Sequence, residues 1–113
     1  MDLRLKRIYE PYSEEDGYRI LVERLWPRGV KKEAAHVDLW MKTIAPSTEL
    51  RKWFNHEEEK WESFQQRYIE ELSGTQQMTT LQDIISKHNS VTLLFSSKNE
   101  PHNNAVVLYN LLR

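Results

Sequence analysis

The chain has 113 residues and no cysteine, and its 16 Lys and Arg against 17 Asp and Glu give a net charge of -1. This length suffices for one domain with its own core and is too short for two. The lack of cysteine excludes disulfides, thiol nucleophiles, thiolate zinc sites and iron–sulfur clusters, and the near-zero charge argues against a generally basic, nucleic-acid-binding surface. Because no apolar run approaches the roughly 20 residues that span a bilayer, and the first residues do not resemble a signal peptide, we expect a soluble, cytoplasmic protein without membrane contact.

The first half of the chain predicts two strands followed by two short helices. Residues 3–9 begin with alternating apolar and cationic residues, which is typical of a half-buried strand. Residues 18–26 have an Ile-Leu-Val centre, which indicates a strand buried on both faces. Residues 33–41 carry apolar side chains at helical spacing and predict a short helix. Ser47 stands as an N-cap before the next helix, which has its own apolar stripe.

The second half predicts two longer helices, a strand and a closing helix. Residues 57–72 give the strongest helical pattern, with Gly74 placed to terminate it. Residues 80–88 predict a further helix, with Thr79 as its cap. Residues 90–96 form an apolar, β-rich run, and an amphipathic closing helix follows from Asn103 to Leu112.

The predicted order is therefore β-β-α-α-α-α-β-α. This order favours an α/β fold in which helices pack on a small sheet of at least three strands. The linkers are short and no repeat is present, so we expect a single compact domain over residues 1–113. The order of the strands in the sheet does not follow from these patterns.

The first candidate site is a basic segment after the second strand. Residues 18–32 have a local charge of +4, with Glu23 as the one anion and with the cations Arg19, Arg24, Arg28, Lys31 and Lys32. Arg24 and Arg28 flank Trp26 and are suited to bind a phosphate or carboxylate while the indole stacks on a flat ligand. The alternative is structural: the arginines pair with acidic residues of the long helix, and Trp26 packs in the core.

The second candidate site is the loop between the last strand and the closing helix. Here Ser96, Ser97, Lys98, His102 and Asn103 supply hydroxyls, a positive charge, an imidazole and an amide. In open α/β sheets, ligands bind beyond the carboxyl ends of strands, and helix N-termini attract anions. The alternative is an ordinary capping loop, in which Asn103 is the N-cap and His102 is exposed.

The remaining residue patterns give weaker evidence for a functional site. His36 and His56 each lie near a carboxylate, but no two histidines have metal-ligand spacing, so we expect no metal. Three glycines cannot build the common nucleotide-binding loops, and we expect no cofactor. The acidic residues of the long helix are best explained as a solvated face, which leaves Glu71, beside Tyr68, as a modest candidate. The central helices are net acidic, which opposes docking on DNA.

The chain contains a series of short sequence motifs. They are Gly17 to Gly29 with its string Arg-Leu-Trp-Pro-Arg-Gly, Ala45-Pro46-Ser47, Leu50 to Phe54 with His56, Trp61, Phe64 and Tyr68 with Glu71-Leu72, Val91 to Leu94, and His102 to Leu108. On these motifs the chain resembles the YeaO-like family of small bacterial proteins, a domain of unknown function. The resemblance implies a bacterial, cytoplasmic α/β protein and no particular reaction. It singles out Arg19, Arg24, Trp26, Arg28, Arg51, His56, Tyr68, Glu71, His102 and Asn103 as family motif positions.

From both candidate loops we predict one anion-accepting pocket for a phosphate ester or nucleotide. The predicted ligand-binding residues are Arg19, Arg24, Trp26, Arg28, Lys98 and Asn103, with Arg51, His56, Tyr68 and Glu71 as further candidates. His102 is the candidate general acid or base, since histidine side chains exchange protons near neutral pH. The alternative is a noncatalytic module that binds nucleic acid, which is less favoured, or a protein partner through the same basic strip. Whether the protein is an enzyme and how it oligomerises stay open.

Overall fold

The protein is built on a parallel sheet whose strands lie in the order β1-β4-β2-β3. The computed structural model describes residues 2–113, and within them the strands are β1 (Asp2–Arg7), β2 (Tyr18–Leu21), β3 (Leu39–Trp40) and β4 (Ser90–Phe95). β4 pairs with β1 on one side and with β2 on the other. Because all four strands are parallel, their carboxyl ends lie at the same edge of the sheet.

Five helices connect or follow these strands. Their bounds are α1 (Lys32–Ala35), α2 (Thr48–Phe54), α3 (Trp61–Leu72), α4 (Gln76–Ser86) and α5 (Asn104–Leu112). As predicted, Ser47 caps α2, with its hydroxyl accepting a hydrogen bond from Leu50 N at 3.1 Å. Within residues 2–113, no helix combines the length and the apolar content needed to cross a membrane.

The two faces of the sheet are covered unequally. Because successive strand residues point to opposite faces, Ile20 and Leu93 belong to the larger core, which α2, α3, α4 and α5 cover. Leu21 and Leu94 belong to a smaller core on the other face, where they pack with Ala35 of α1. Four helices therefore lie on one side of the sheet and a single helical turn lies on the other.

A buried charge cluster lies on the smaller face. Asp16, which is 4% exposed, accepts hydrogen bonds from Lys6 Nζ at 3.0 Å and from the guanidinium of Arg19. Arg19 also donates to the carbonyls of Ala35 and His36, at 3.0 Å each, and so holds the carboxyl end of α1. Arg19 is only 2% exposed, and its place is inside the fold.

The predicted α/β fold class is confirmed, but the predicted helix over residues 33–41 is wrong beyond Ala35. His36 adopts the left-handed conformation, with φ 51°, and ends α1 after one turn. Leu39 and Trp40 then pair with β2 as β3. Their helical spacing is overridden by pairing with a strand that is distant in sequence, which local propensity does not register.

Three boundaries also differ from the prediction by four residues or more. The long helix α3 begins at Trp61 in place of residue 57, because Glu58–Lys60 form a 3-10 turn ahead of it. α4 begins at Gln76, four residues early, because Thr75 is its cap in place of Thr79 and accepts a hydrogen bond from Met78 N at 3.3 Å. β2 ends at Leu21, well before residue 26, although the next residue still donates to β4. The residues after β2 thus form a loop at the carboxyl edge of the sheet.

Candidate functional site

A cleft opens at the carboxyl edge of the sheet, where β2 and β4 end side by side. Its volume is about 350 Å³, which is within the range of pockets that hold small ligands. After β4 the chain enters α5, which packs on β1 and β4, whereas after β2 it continues to α1 and β3 on the other side. Open α/β sheets bind ligands where the chain leaves neighbouring strands in opposite directions.

One wall of the cleft is polar and consists of residues that follow the two strands. Glu23 Oε2 accepts a hydrogen bond from Ser96 N at 3.1 Å, and Asn104 Nδ2 donates to the carbonyl of Val22 at 2.8 Å. Burial raises the pKa of the Glu23 carboxyl above its ordinary value of 4.5, although the Ser96 N–H and the charge of Arg51 act in the opposite direction. This wall offers hydrogen-bond acceptors and amide donors to a ligand.

The cationic side of the cleft comes from α2. Arg51, which is half-buried, and Lys52 both line the cleft. Within residues 2–113 neither side chain takes part in an ion pair, and no hydrogen bond engages the Arg51 guanidinium. By contrast, Arg7, Arg19 and Arg24 all donate to backbone carbonyls of the protein. Arg51 is therefore available to an anion in the cleft.

His102 contributes an imidazole whose position is fixed from two sides. Its Nδ1 lies 2.6 Å from Glu58 Oε2, and its ring stacks on Trp61 with the ring centroids 4.6 Å apart. Hydrogen bonds from His102 and Asn99 lower the pKa of the Glu58 carboxyl, so this group is an ionised acceptor. Because an ionised carboxylate only accepts, Nδ1 carries the proton in this pair, and Nε2 is the ring nitrogen left to a ligand.

Two aromatic side chains and two residues with a left-handed backbone also line the cleft. Phe54 and Phe64, which stack with centroids 4.2 Å apart, both line the cleft. Asn55 and His56 follow α2 in the left-handed conformation, with φ 47° and 56°, and line it as well. Two consecutive non-glycine residues in this region are uncommon, and such strain is found preferentially at binding sites.

The position of α2 is set by the segment 44–47 that precedes it. Tyr68 OH donates to the first carbonyl of this segment at 2.5 Å, and Arg24 donates to the next two carbonyls at 3.1 Å each. Glu71 accepts from the N–H and the hydroxyl of Ser47 at 2.9 and 2.5 Å. Burial, followed by the charges of nearby carboxylates, raises the pKa of Tyr68 well above its ordinary value, so its hydroxyl stays a donor. These three residues act by positioning α2 and, with it, Arg51.

The arginine loop does not supply the cations of the cleft. Glu23, at the start of this loop, lines the cleft. Arg24 instead donates to the carbonyls of segment 44–47. Trp26 packs in the smaller core, where its Nε1 donates to Val30 O at 2.7 Å. Arg28 is exposed, outside the residues that line the cleft. The expected meeting of the two loops is therefore only partly seen, and the positive charge that accompanies the histidine loop comes from α2.

The structure brings the remaining predicted residues near the cleft in different roles. Arg51, His56, His102 and Asn103 line it. Asn103 is 3% exposed and caps α5, with Oδ1 accepting from the Val106 backbone at 3.2 Å. Lys98 is exposed in the same loop and is not among the lining residues.

Sequence reasoning missed several residues of this site, among them Phe54, Phe64 and Asn104. Glu23 was counted only as the anion of a basic segment, although its place directly after a buried strand is a usable signal. Lys52 and Asn55 have no distinctive pattern, and Glu58 is 44 positions away from its partner His102. Among residues 2–113, no three His, Asp or Glu side chains are arranged to hold a metal ion.

The fold and the cleft together define a class: small α/β domains with a parallel sheet and a ligand-sized cleft where the chain reverses direction. A family model described as "Inactive DUF488-N3 subclade" matches residues 2–113, and the chain belongs to this family. The resemblance found from the motifs is thereby confirmed. No solved structure matches the chain significantly.

The similar curated proteins are bacterial. The uncharacterized protein YeaO of Escherichia coli (strain K12) is 46% identical over 113 residues, which cover 100% of this chain and 98% of that protein. The uncharacterized protein Rv3073c of Mycobacterium tuberculosis (strain ATCC 25618 / H37Rv) is 36% identical over 110 residues, which cover 97% of this chain and 92% of that protein. The uncharacterized protein Mb3100c of Mycobacterium bovis shows the same identity and coverage.

Proposed function

We propose that the protein binds a small anionic ligand, a phosphate ester or nucleotide, in the cleft between the ends of β2 and β4. The observation that carries this proposal is Arg51, a half-buried residue that lines the cleft and whose guanidinium takes part in no ion pair within residues 2–113. Arginine is suited to phosphate because its planar fork donates two parallel hydrogen bonds. Lys52 adds a second positive charge at the same side. We place this binding in the cytoplasm, as the family resemblance implies.

The family description supports binding of the ligand without its chemical conversion. The model that matches this chain is described as inactive, and under this proposal His102 contacts the ligand through Nε2 as a hydrogen-bonding partner. Its role as a general acid or base stays a prediction. Release of inorganic phosphate or of a free base from a bound ester, lost in His102→Ala, would establish that role.

The alternative, a basic strip that binds nucleic acid or a protein, draws less support from the structure. Two of its five cations are committed to the fold, since Arg19 is buried against Asp16 and Arg24 holds segment 44–47. The exposed cations that remain are Arg28, Lys31 and Lys32. The cations that line the cleft, Arg51 and Lys52, by contrast take part in no ion pair within residues 2–113.

The test is a thermal-shift screen with phosphate esters and nucleotides on the wild type, Arg51→Ala and Arg28→Ala. A ligand at 100 times its dissociation constant adds about 2.7 kcal/mol, which corresponds to roughly 10 °C in a domain of this size. We expect this shift in the wild type and in Arg28→Ala, the exposed arginine outside the cleft, and its loss in Arg51→Ala. Loss of the shift in Arg28→Ala with retention in Arg51→Ala would instead place binding on the basic strip, and no shift in the wild type would contradict the proposal.

A further inference from the structure

We propose that the ligand of this cleft is a phosphorylated sugar, recognised by Arg51 at its phosphate and by Glu23 at a hydroxyl group. This inference rests on the proposed function, because it assumes that Arg51 binds the phosphate. It goes further by assigning Glu23 the role that decides which phosphate compounds are accepted.

The first step of the argument is the position of Glu23. It follows β2 directly, lines the same cleft as Arg51, and interacts with that arginine through the field of its charge rather than through an ion pair. A carboxylate offers about four acceptor positions, and the backbone N–H of Ser96 engages one of them. Acceptor positions are therefore left for a ligand, in a place where water is partly excluded.

The second step is charge. Arg51 and Lys52 bring two positive charges to the cleft, and Glu23 brings one negative charge to the same space. A compact dianion such as inorganic phosphate meets repulsion from Glu23 that the partly desolvated surroundings strengthen. A ligand that carries its phosphate at one end and hydroxyl donors at the other satisfies both sides, because a hydroxyl donates to the carboxylate.

The third step is size and chemical lining. The cleft of about 350 Å³ is too large for inorganic phosphate alone and accommodates a pentose phosphate. The side chains of Asn55, Asn104 and Ser97 add amides and a hydroxyl, which pair with the several hydroxyls of a sugar. Phe54 and Phe64 supply an apolar surface that suits the C–H face of a sugar or the base of a nucleotide.

The experiment is isothermal titration of inorganic phosphate, ribose 5-phosphate and nucleoside 5′-monophosphates into the wild type, Glu23→Gln and Arg51→Ala. Glu70→Gln, an exposed carboxylate on α3 outside the cleft, is the matched control. We expect the wild type to bind ribose 5-phosphate at least tenfold more tightly than inorganic phosphate. In Glu23→Gln, inorganic phosphate should bind several-fold more tightly and the preference should fall at least fivefold, while Glu70→Gln behaves as the wild type.

The outcomes separate this inference from the proposed function. If Arg51→Ala abolishes binding but Glu23→Gln keeps the full preference, Glu23 is not the specificity residue and only this inference falls. If no phosphate compound binds the wild type, the proposed function falls with it. Glu23→Asp is the second variant in case Glu23→Gln folds poorly: it keeps the charge, so it should still discriminate against inorganic phosphate and bind the sugar phosphate more weakly. Tighter binding of the nucleoside monophosphates than of ribose 5-phosphate identifies a nucleotide as the source of the sugar, and the reverse identifies a free sugar phosphate.

Discussion

At the scale of single residues, the buried carboxylate of Asp16 contacts two cations, Lys6 and Arg19. Burial opposes its charge, but hydrogen bonds from Lys6, the Ser13 backbone and Arg19 outweigh burial and lower the pKa of the carboxyl below its ordinary value of 3.8. A carboxyl whose pKa is lowered by folding stabilises the fold above the ordinary pKa, and this stabilisation is lost as the pH falls through the folded value. The protein should therefore lose stability as the pH falls below 3.8, the ordinary pKa, and this loss is complete only below the lowered pKa of folded Asp16.

We expect Asp16→Asn to destabilise the protein by about 2–4 kcal/mol at pH 7, because it leaves two cations partly buried without their counter-charge. Urea unfolding between pH 3 and pH 7 should show a shallower pH dependence for the variant than for the wild type. The control is Asp83→Asn, whose exposed pair with Lys87 should contribute less than about 0.5 kcal/mol. A variant of Asp16 that unfolds with the wild-type pH profile would contradict this role.

The arginines show why the site could be predicted only in part. Arg24, Arg28 and Arg51 are indistinguishable by residue type, and the string around the first two made them the more conspicuous candidates. Which arginine is free depends on which carbonyls fold against it, and Arg24 is taken up by carbonyls 21 and 22 positions away. His102 and Asn103 were found because a loop between a strand and a helix is a local feature, whereas the commitment of a guanidinium is a tertiary one.

At the scale of elements, the corner between α2 and α3 links stability to the site. Tyr68, which is 0% exposed, reaches from α3 to the carbonyl of Ile44, close to the start of α2. In Tyr68→Phe the fold keeps its packing but leaves that buried carbonyl unpaired, at a cost of about 1–3 kcal/mol. We expect urea unfolding to show this loss and titration to show weaker ligand binding, since α2 carries Arg51.

Tyr109→Phe is the matched control for this variant. Tyr109 lies half-buried on α5 and packs against the same core, and within residues 2–113 its hydroxyl makes no hydrogen bond to the protein. Removal of this hydroxyl should change the free energy of unfolding by less than about 0.5 kcal/mol. Equal stability of the Tyr68 variant and the wild type would show that the Tyr68 bond contributes nothing to holding the corner.

The elements that the sequence predicted are those with local signals. α2 has its cap at Ser47, α3 has a long apolar stripe, and β4 is an apolar β-rich run, and all three are found. β3 has only two residues and exists because β2 lies beside it, so no local pattern announces it. The same holds for strand order, because β4 enters the sheet between β1 and β2 although it is the last strand along the described chain.

At the scale of the whole molecule, the net charge of -1 argues against a surface that binds polyanions, and the salt dependence of binding tests this. A protein that makes many phosphate contacts with nucleic acid loses about 10³-fold or more in affinity between 50 and 200 mM salt, because the release of counterions gains less entropy in more concentrated salt. A phosphate held by one or two cations in a half-buried cleft is screened far less. Titration of ribose 5-phosphate across this salt range should change its affinity by less than about tenfold, and a steep loss would contradict binding in the cleft.

Because β4 lies between β1 and β2, the sheet can be completed only late in synthesis of the chain. β1 and β2 do not pair with each other: β1 pairs with β4, and β2 pairs with β4 on the side toward β1 and with the two-residue β3 on its other side. A growing chain that has reached residue 89 holds two strands with no common neighbour, and the cleft does not yet exist because Ser96, His102 and Asn104 are not yet made. Completion of the sheet must therefore wait until residues 90–95 have left the ribosome, and until then the apolar residues of β2 lack the neighbour that buries them.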